Sequence, residues 1–331
     1  MQYRKLGKTE VNVSVIAFGC WGLIGGEYWG EQSEQDSIQA IRTAYDLGIN
    51  LFDTAEGYGD GFSERILGKA LHGIRPNVLI ASKVSPDHFS PPELRRACER
   101  SLRNLGTDWI DLYQLHWPNW EIPLAEPLQT MEDLRKEGKI RFYGVSNFGV
   151  GDLGEALAGG FTISSDQLAY NLLFRAIEYE ILPLCRRESV SVLCYSPLMQ
   201  GLLAGKFPRR EDVPVKRSRS RHFSSQTNPE ARHGEAGAEE ETFTALEQMV
   251  SLSEESGFSM SDLSLGWLIA QPGVTSVIAG ARRPEHARTS AGAADVKLTP
   301  DVLERLSQIT EPLKQKLGPN PDMWQAQPRI R

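Results

Sequence analysis

The chain has 331 residues, 40% of them hydrophobic, with 36 Lys and Arg against 43 Asp and Glu and a formal net charge of −7. That balance excludes a chain-wide surface for nucleic acid or anionic membrane, so any anion site has to be local. No apolar run approaches the roughly 18 residues of a membrane span, and the start MQYRKLGKTEVNVSV carries no signal-peptide core, which makes the cytoplasm the expected location.

A hairpin is expected around Gly7-Lys8, after which β-rich runs alternate with helical patterns. VIAF (15–18) precedes a helical pattern at 33–47, NLFD (50–53) one at 63–72, VLIASK (78–83) one at 91–105, and IDLYQLH (110–116) one at 125–137. IRFYGVS (140–146) is followed by 151–158, SSDQ (164–167) by 178–188, and VSVLCY (190–195) by a long connection and then 261–271; VTSVIAG (274–280) is the last strand, with a final helix after Pro300. Apolar strands joined by crossover helices favour a parallel sheet, and eight such units are the number that closes a barrel. The expected architecture is one domain, 1–331: an α/β, (β/α)8 TIM barrel with an N-terminal β-hairpin and extended C-terminal loops. A doubly wound open sheet competes with it, but FGCWGLIGG lacks the spacing of a dinucleotide fingerprint.

In a barrel the active site gathers at the C-terminal strand ends, where Asp53, Lys83, His116, Asn147, Gln167 and Tyr195 all fall. Singly they have ordinary readings: Asp53 as a helix cap, Lys83 as a solvated strand end, His116 as a bonded core residue. At one rim they make a chemistry. Gly57, Gly59 and Gly61 around Tyr58 suit a sharp turn or a close approach. If Lys83 stands between Asp53 and Tyr58, it pairs the acid, and its charge favours the phenolate, making Tyr58 a general acid; His116 orients a substrate oxygen beside it. Cys20, Cys98, Cys185 and Cys194 form no C-x-x-C pair and read as reduced thiols, and no serine or cysteine nucleophile or histidine cluster points to acyl transfer or a metal. The set protonates an oxyanion. Since no side chain donates hydride, an organic cofactor is implied.

The stretches FDTAEGYG, ASK, YQLHWP, GVSNF, CYSPL and VIAGARRP, in this order and with the tail PLKQKLGPNPDMW, resemble the aldo-keto reductase superfamily, closest to the bacterial general stress and inositol-catabolism branch. The resemblance implies a barrel that binds NADP(H) without a Rossmann domain and reduces an aldehyde or ketone. It implies a catalytic tetrad of Asp53, Tyr58, Lys83 and His116, a nicotinamide carboxamide held by Ser146, Asn147 and Gln167, and Tyr195 stacked on the ring. Trp21, Tyr28, Trp117 and Trp120 resemble substrate-pocket residues. Two alternatives share the scaffold: a cofactor-binding regulatory subunit like the β subunits of potassium channels, and an NAD-linked sugar or polyol dehydrogenase.

The connection after Tyr195, about 206–241, is far longer than the roughly 2 to 6 residues usual in an α/β unit. Within 206–232 it carries eight basic side chains against three acidic ones. A solvated insertion explains that composition as readily as a cofactor lid does, and KRSRSRHF alone is a weak nucleic-acid-like signal. The family resemblance places the loop over the cofactor, with Ser196, Pro197, Leu198, Gly201, Leu202 and Lys206 along the diphosphate. A second cofactor segment starts at Gly280: Arg282 and Arg283 carry charge suited to a 2′-phosphate, while His286, Thr289 and Ser290 depart from the family's usual adenosine contacts. The loop is expected to be mobile until NADPH orders it. The expected partner is a small carbonyl compound, with no nucleic acid or membrane, and the chain is expected to be a monomer.

Overall fold

The computed structural model describes residues 1–331. Strands β1 (Tyr3–Lys5) and β2 (Asn12–Ser14) pair antiparallel. Eight parallel strands then close a barrel: β3 (Ile16–Gly19), β4 (Leu51–Asp53), β5 (Leu79–Val84), β6 (Ile110–Leu115), β7 (Ile140–Ser146), β8 (Ser165–Ala169), β9 (Ser191–Tyr195) and β10 (Val274–Gly280), with β10 pairing back to β3. Each expected strand is present to within two residues.

The helices α1 (Gly26–Trp29), α2 (Glu34–Asp46), α3 (Phe62–Leu71), α4 (Pro91–Leu105), α5 (Ala125–Lys136), α6 (Val150–Ala158) and α7 (Ile181–Glu188) lie in the first six connections of the barrel, α1 and α2 sharing the first. After β9 come α8 (Glu239–Ser256) and α9 (Met260–Ala270), and after β10 come α10 (Pro284–Gly292) and α11 (Pro300–Leu317). Helix α8 was not expected, because Glu239, Glu240 and Glu241 read as the acidic end of the long loop. They are instead the first turn of a helix, where carboxylates suit the exposed N–H groups, and Thr242, Ala245, Leu246, Met249 and Leu252 bury one face at helical spacing. The loop therefore ends at 238.

Side-chain alternation along the strands divides the barrel interior into an apolar floor and a polar rim. Leu51, Ala81, Leu112, Leu193, Ala17 and Ile278 pack together inside, with Leu6 and Val13 of the hairpin plugging the N-terminal end. Two residues further along the same strands, the same inward face presents Asp53, Lys83, Gln114, Tyr195, Gly19 and Gly280. A larger apolar layer lies between strands and helices. All four cysteines are buried and unpaired, and no helix is long and apolar enough to cross a membrane.

Candidate active site

Asp53 closes β4 at 3% exposure, and Lys83, at 1%, reaches it from the neighbouring β5. The Lys83 ammonium donates to Asp53 Oδ1 at 2.7 Å, to the Thr54 carbonyl at 2.8 Å and to Tyr58 Oη at 3.3 Å. Burial opposes the lysine charge, but Asp53 and Tyr58 outweigh it and raise the Lys83 pKa above its ordinary value. For Tyr58 the balance runs the other way. Burial raises the phenol, and the Lys83 charge and hydrogen bond offset only part of that rise, so the phenol is not more acidic than usual in this arrangement. Lysine here limits the cost of forming a buried phenolate.

The Tyr58 turn needs two of its three glycines. Gly59 and Gly61 have φ of 63° and 73°, and a Cβ at Gly61 would sit 2.2 Å from Asn104 Nδ2. Gly57 has no such need, its nearest neighbour being Ser85 Oγ at 3.5 Å. The His116 ring lies edge-on to Tyr58, with centroids 5.9 Å apart. Burial, reinforced by the Lys83 charge, pushes the His116 pKa down to about 3, so the ring is neutral at physiological pH.

Gln167 donates its amide nitrogen to Asp53 Oδ2 at 2.7 Å. A carboxylate only accepts, so this bond fixes which end of the Gln167 amide is which. Asn147 has φ of 62°, a left-handed conformation unusual for a non-glycine residue. Its amide holds it there, donating to the His116 carbonyl and Ser146 Oγ and accepting from Tyr195 Oη at 2.8 Å.

These groups open onto a cavity of about 480 Å³, within the usual range for a small-molecule site. Of the residues singled out in the sequence, Trp21, Asp53, Tyr58, His116, Trp117, Ser146, Asn147, Gln167 and Tyr195 line one part of it. Ser196, Pro197, Leu198, Gly201, Lys206, Gly280, Arg282 and His286 line the rest. Lys83 lies behind Asp53 and Tyr58, and Leu202, Arg283, Thr289 and Ser290 lie off the wall. Tyr28 is also off the wall, stacked on Trp21 with its hydroxyl bonded to Arg219. Trp120, at 53% exposure, turns away and donates to Asp152 in a separate crevice.

Arg282 departs from its expected role. Its guanidinium donates to Gln32 Oε1 and to the carbonyls of Trp29, Gly30 and Glu31, which makes it a strut for that loop. The eight cations of the long loop fall into two sets. Arg209, Arg210, Lys216 and Arg221 pair with Asp212, Glu239, Glu230 and Glu235. Lys206, Arg217, Arg219 and Arg232 have no carboxylate partner, and these four line the cavity. Half of the loop's basic side chains are thus neutralised within the protein. Arg221 is buried, and its bonds to the carbonyls of Leu317 and Asn320 pin the loop to the C-terminal tail.

The tail was noted in the sequence only for its resemblance, yet Trp324, Gln325 and Arg329 line the cavity. Trp29 and Gln200 were also missed. Neither the tail nor these two lies at a strand end, and no local pattern marks them.

Residues 15–311 match the profile of the Aldo/keto reductase family. The chain is 36% identical over 297 residues to the aldo-keto reductase YhdN of Bacillus subtilis, covering 86% of each protein. It is 32% identical over 332 residues to the NADH-specific methylglyoxal reductase of Escherichia coli, covering 93% of this chain and 98% of that one. Among solved structures, an aldo-keto reductase from Klebsiella pneumoniae in complex with NADPH superposes with a TM-score of 0.72 at 31% identity, covering 97% of each chain.

Proposed function

Because the chain belongs to the aldo/keto reductase family, we propose that it reduces aldehydes or ketones to alcohols with NADP(H). The observation that carries this reading is the buried Lys83 ammonium joining Asp53 to Tyr58 Oη at the floor of the cavity.

The residues fit a dinucleotide. Burial and the nearby Arg217 and Arg282 lower the Lys206 pKa, and burial with Lys206, Arg283 and Arg282 lowers that of His286, so cations are crowded at this end of the cavity. Phosphate oxygens would relieve that crowding through charge-assisted bonds. At the other end Gln167, with its nitrogen fixed on Asp53, presents its carbonyl oxygen as an acceptor for a carboxamide N–H, and Ser146 and Asn147 stand beside it. When bound, the nicotinamide supplies hydride to the carbonyl carbon.

The protein's part is the proton. Tyr58 Oη donates to the carbonyl oxygen as negative charge develops there, and neutral His116 holds the same oxygen. Lys83 stabilises the phenolate that remains, and Asp53 keeps Lys83 charged and in place. Trp21, Trp117 and Trp324 enclose the carbonyl subsite with flat apolar surface and exclude water.

Arg282 is not free for a 2′-phosphate, so preference for NADPH over NADH rests on Lys206, Arg217 and His286, which line the cavity. One charge-assisted contact gives about 10- to 150-fold, and we expect a preference near the lower end. Turnover of a panel of aldehydes with NADPH and with NADH tests both halves of the proposal. No turnover with either overturns the reaction, and equal dissociation constants overturn the cofactor preference.

A further inference from the structure

The tail after α11 crosses the cavity mouth and is held at both ends. At its start Arg221 of the long loop bonds the carbonyls of Leu317, Asn320 and Met323. At its far end Arg331 is seated on the first turn of α6. Its main-chain oxygen accepts from the Gly151 and Asp152 N–H groups at 2.8 and 2.9 Å, and its Nε donates to Asp152 Oδ1 at 2.6 Å. A Cβ at Gly149 or Gly151 would lie 2.4 or 3.0 Å from Arg331, so the helix start is shaped to receive this residue.

Two arginines of the tail stack on the two indoles of the loop after β6. Arg329 lies 3.9 Å over Trp117, held bidentate by Asp322, and Arg331 lies 5.4 Å over Trp120. Trp120 Nε1 donates to Asp152 Oδ1 at 3.0 Å, the oxygen that also accepts from Arg331. Asp152 is 1% exposed, and a carboxylate so buried depends on these partners. It does not touch the cavity, whereas Trp117, Trp324, Gln325 and Arg329 do.

We propose that Asp152 is a positioning residue: through Arg331 and Trp120 it fixes the tail and the Trp117 loop against each other, and so sets which carbonyl compounds the outer cavity wall accepts. This rests on the carbonyl-reduction reading above. The latch is remote from the chemistry and acts on the part of a substrate that extends beyond its carbonyl. A small aliphatic aldehyde reaches Tyr58 and His116 without meeting the tail; a bicyclic aromatic aldehyde has to lie along Trp117 and Trp324.

The test compares wild type, Asp152→Asn, Arg331→Gln and the double variant on propanal and 2-naphthaldehyde with NADPH. Displacing a wall of this kind changes reactivity by about 10- to 100-fold. Each single variant is expected to shift the 2-naphthaldehyde to propanal ratio of kcat/KM by about tenfold, mainly through KM. NADPH affinity should stay within about twofold, and the double variant should go no further than either single one. A ratio unchanged in both single variants overturns the proposal, as does an equal loss on both aldehydes with weakened NADPH binding. If Asp152→Asn does not fold, Arg331→Gln, at a half-exposed side chain, decides alone. Hydrogen exchange provides a readout independent of turnover: the latch predicts faster exchange in 319–331 and around Trp117 in the variants. Unchanged exchange refutes the latch even in an inactive protein, while inactive wild type with faster exchange in the variants refutes only the carbonyl-reduction reading.

Discussion

At the floor of the cavity Lys83 is fully enclosed and its three donors all have protein acceptors, whereas on the roof Lys206, Arg217, Arg219 and Arg232 face the same cavity with no carboxylate paired to any of them, since Glu230, which also lines it, is bound to Lys216. Both regions collect positive charge, and the difference lies in what completes it. The floor is complete within the protein, so its geometry exists before any ligand arrives and suits a proton donor that must be held in place. The roof keeps four cations that no carboxylate of the protein pairs, a surplus of charge that suits an anionic ligand. The other half of the loop's cations, paired with Asp212, Glu239, Glu230 and Glu235, shows that counting basic residues does not identify such a site.

The comparison breaks most sharply at Tyr58. Tyr58→Phe deletes the proton donor and keeps the ring, so the chemical step is expected to fall by about 10²- to 10⁴-fold with NADPH binding retained; single-turnover kinetics and fluorescence quenching measure the two. Lys83→Met removes the only cation from a buried acid. It should abolish most turnover and lower stability by about 3 to 5 kcal/mol, read by urea unfolding.

The roof is tested by contrast within the loop. Neutralising Arg217 and Arg219 together should weaken NADPH by about 10- to 100-fold, at about 1.5 to 3 kcal/mol for each charge-assisted contact, lost in part. Neutralising Arg209 and Arg210, which are already paired away from the cavity, should leave its dissociation constant within about twofold. Similar effects of the two pairs would show that the loop acts through net charge.

The smallest effect concerns pH. His116 has its pKa pushed down to about 3 by burial and the Lys83 charge, so the folded chain leaves it neutral where the unfolded chain begins to protonate it near 6.5. Stability from this group is present above that value and is lost as pH falls toward 3. Between pH 7 and pH 5 wild type should lose about 2 kcal/mol more than His116→Gln, compared by urea unfolding at the two pH values.

What the sequence by itself determined is whatever depends on a two-residue period. Leu51 and Asp53, Ala81 and Lys83, and Leu112 and His116 share a parity, so once eight strands close a barrel the apolar member of each pair packs at the floor and the polar one is carried to the rim. The turn at Gly59-Asp60-Gly61 was legible for a similar local reason, since positive φ favours glycine. Tertiary structure alone decided how the remaining charges are used, because their partners lie far away along the chain. Arg282 finds its acceptor Gln32 at a separation of 250 residues, and Arg331 finds Asp152 at 179. Trp120 looked like a pocket residue beside Trp117 and instead joins the second of these pairs. An ionic or hydrogen-bonded pair is chosen by which surfaces the fold brings together, and an arginine reads the same in sequence whether its partner is a carbonyl, a carboxylate or a ligand's phosphate.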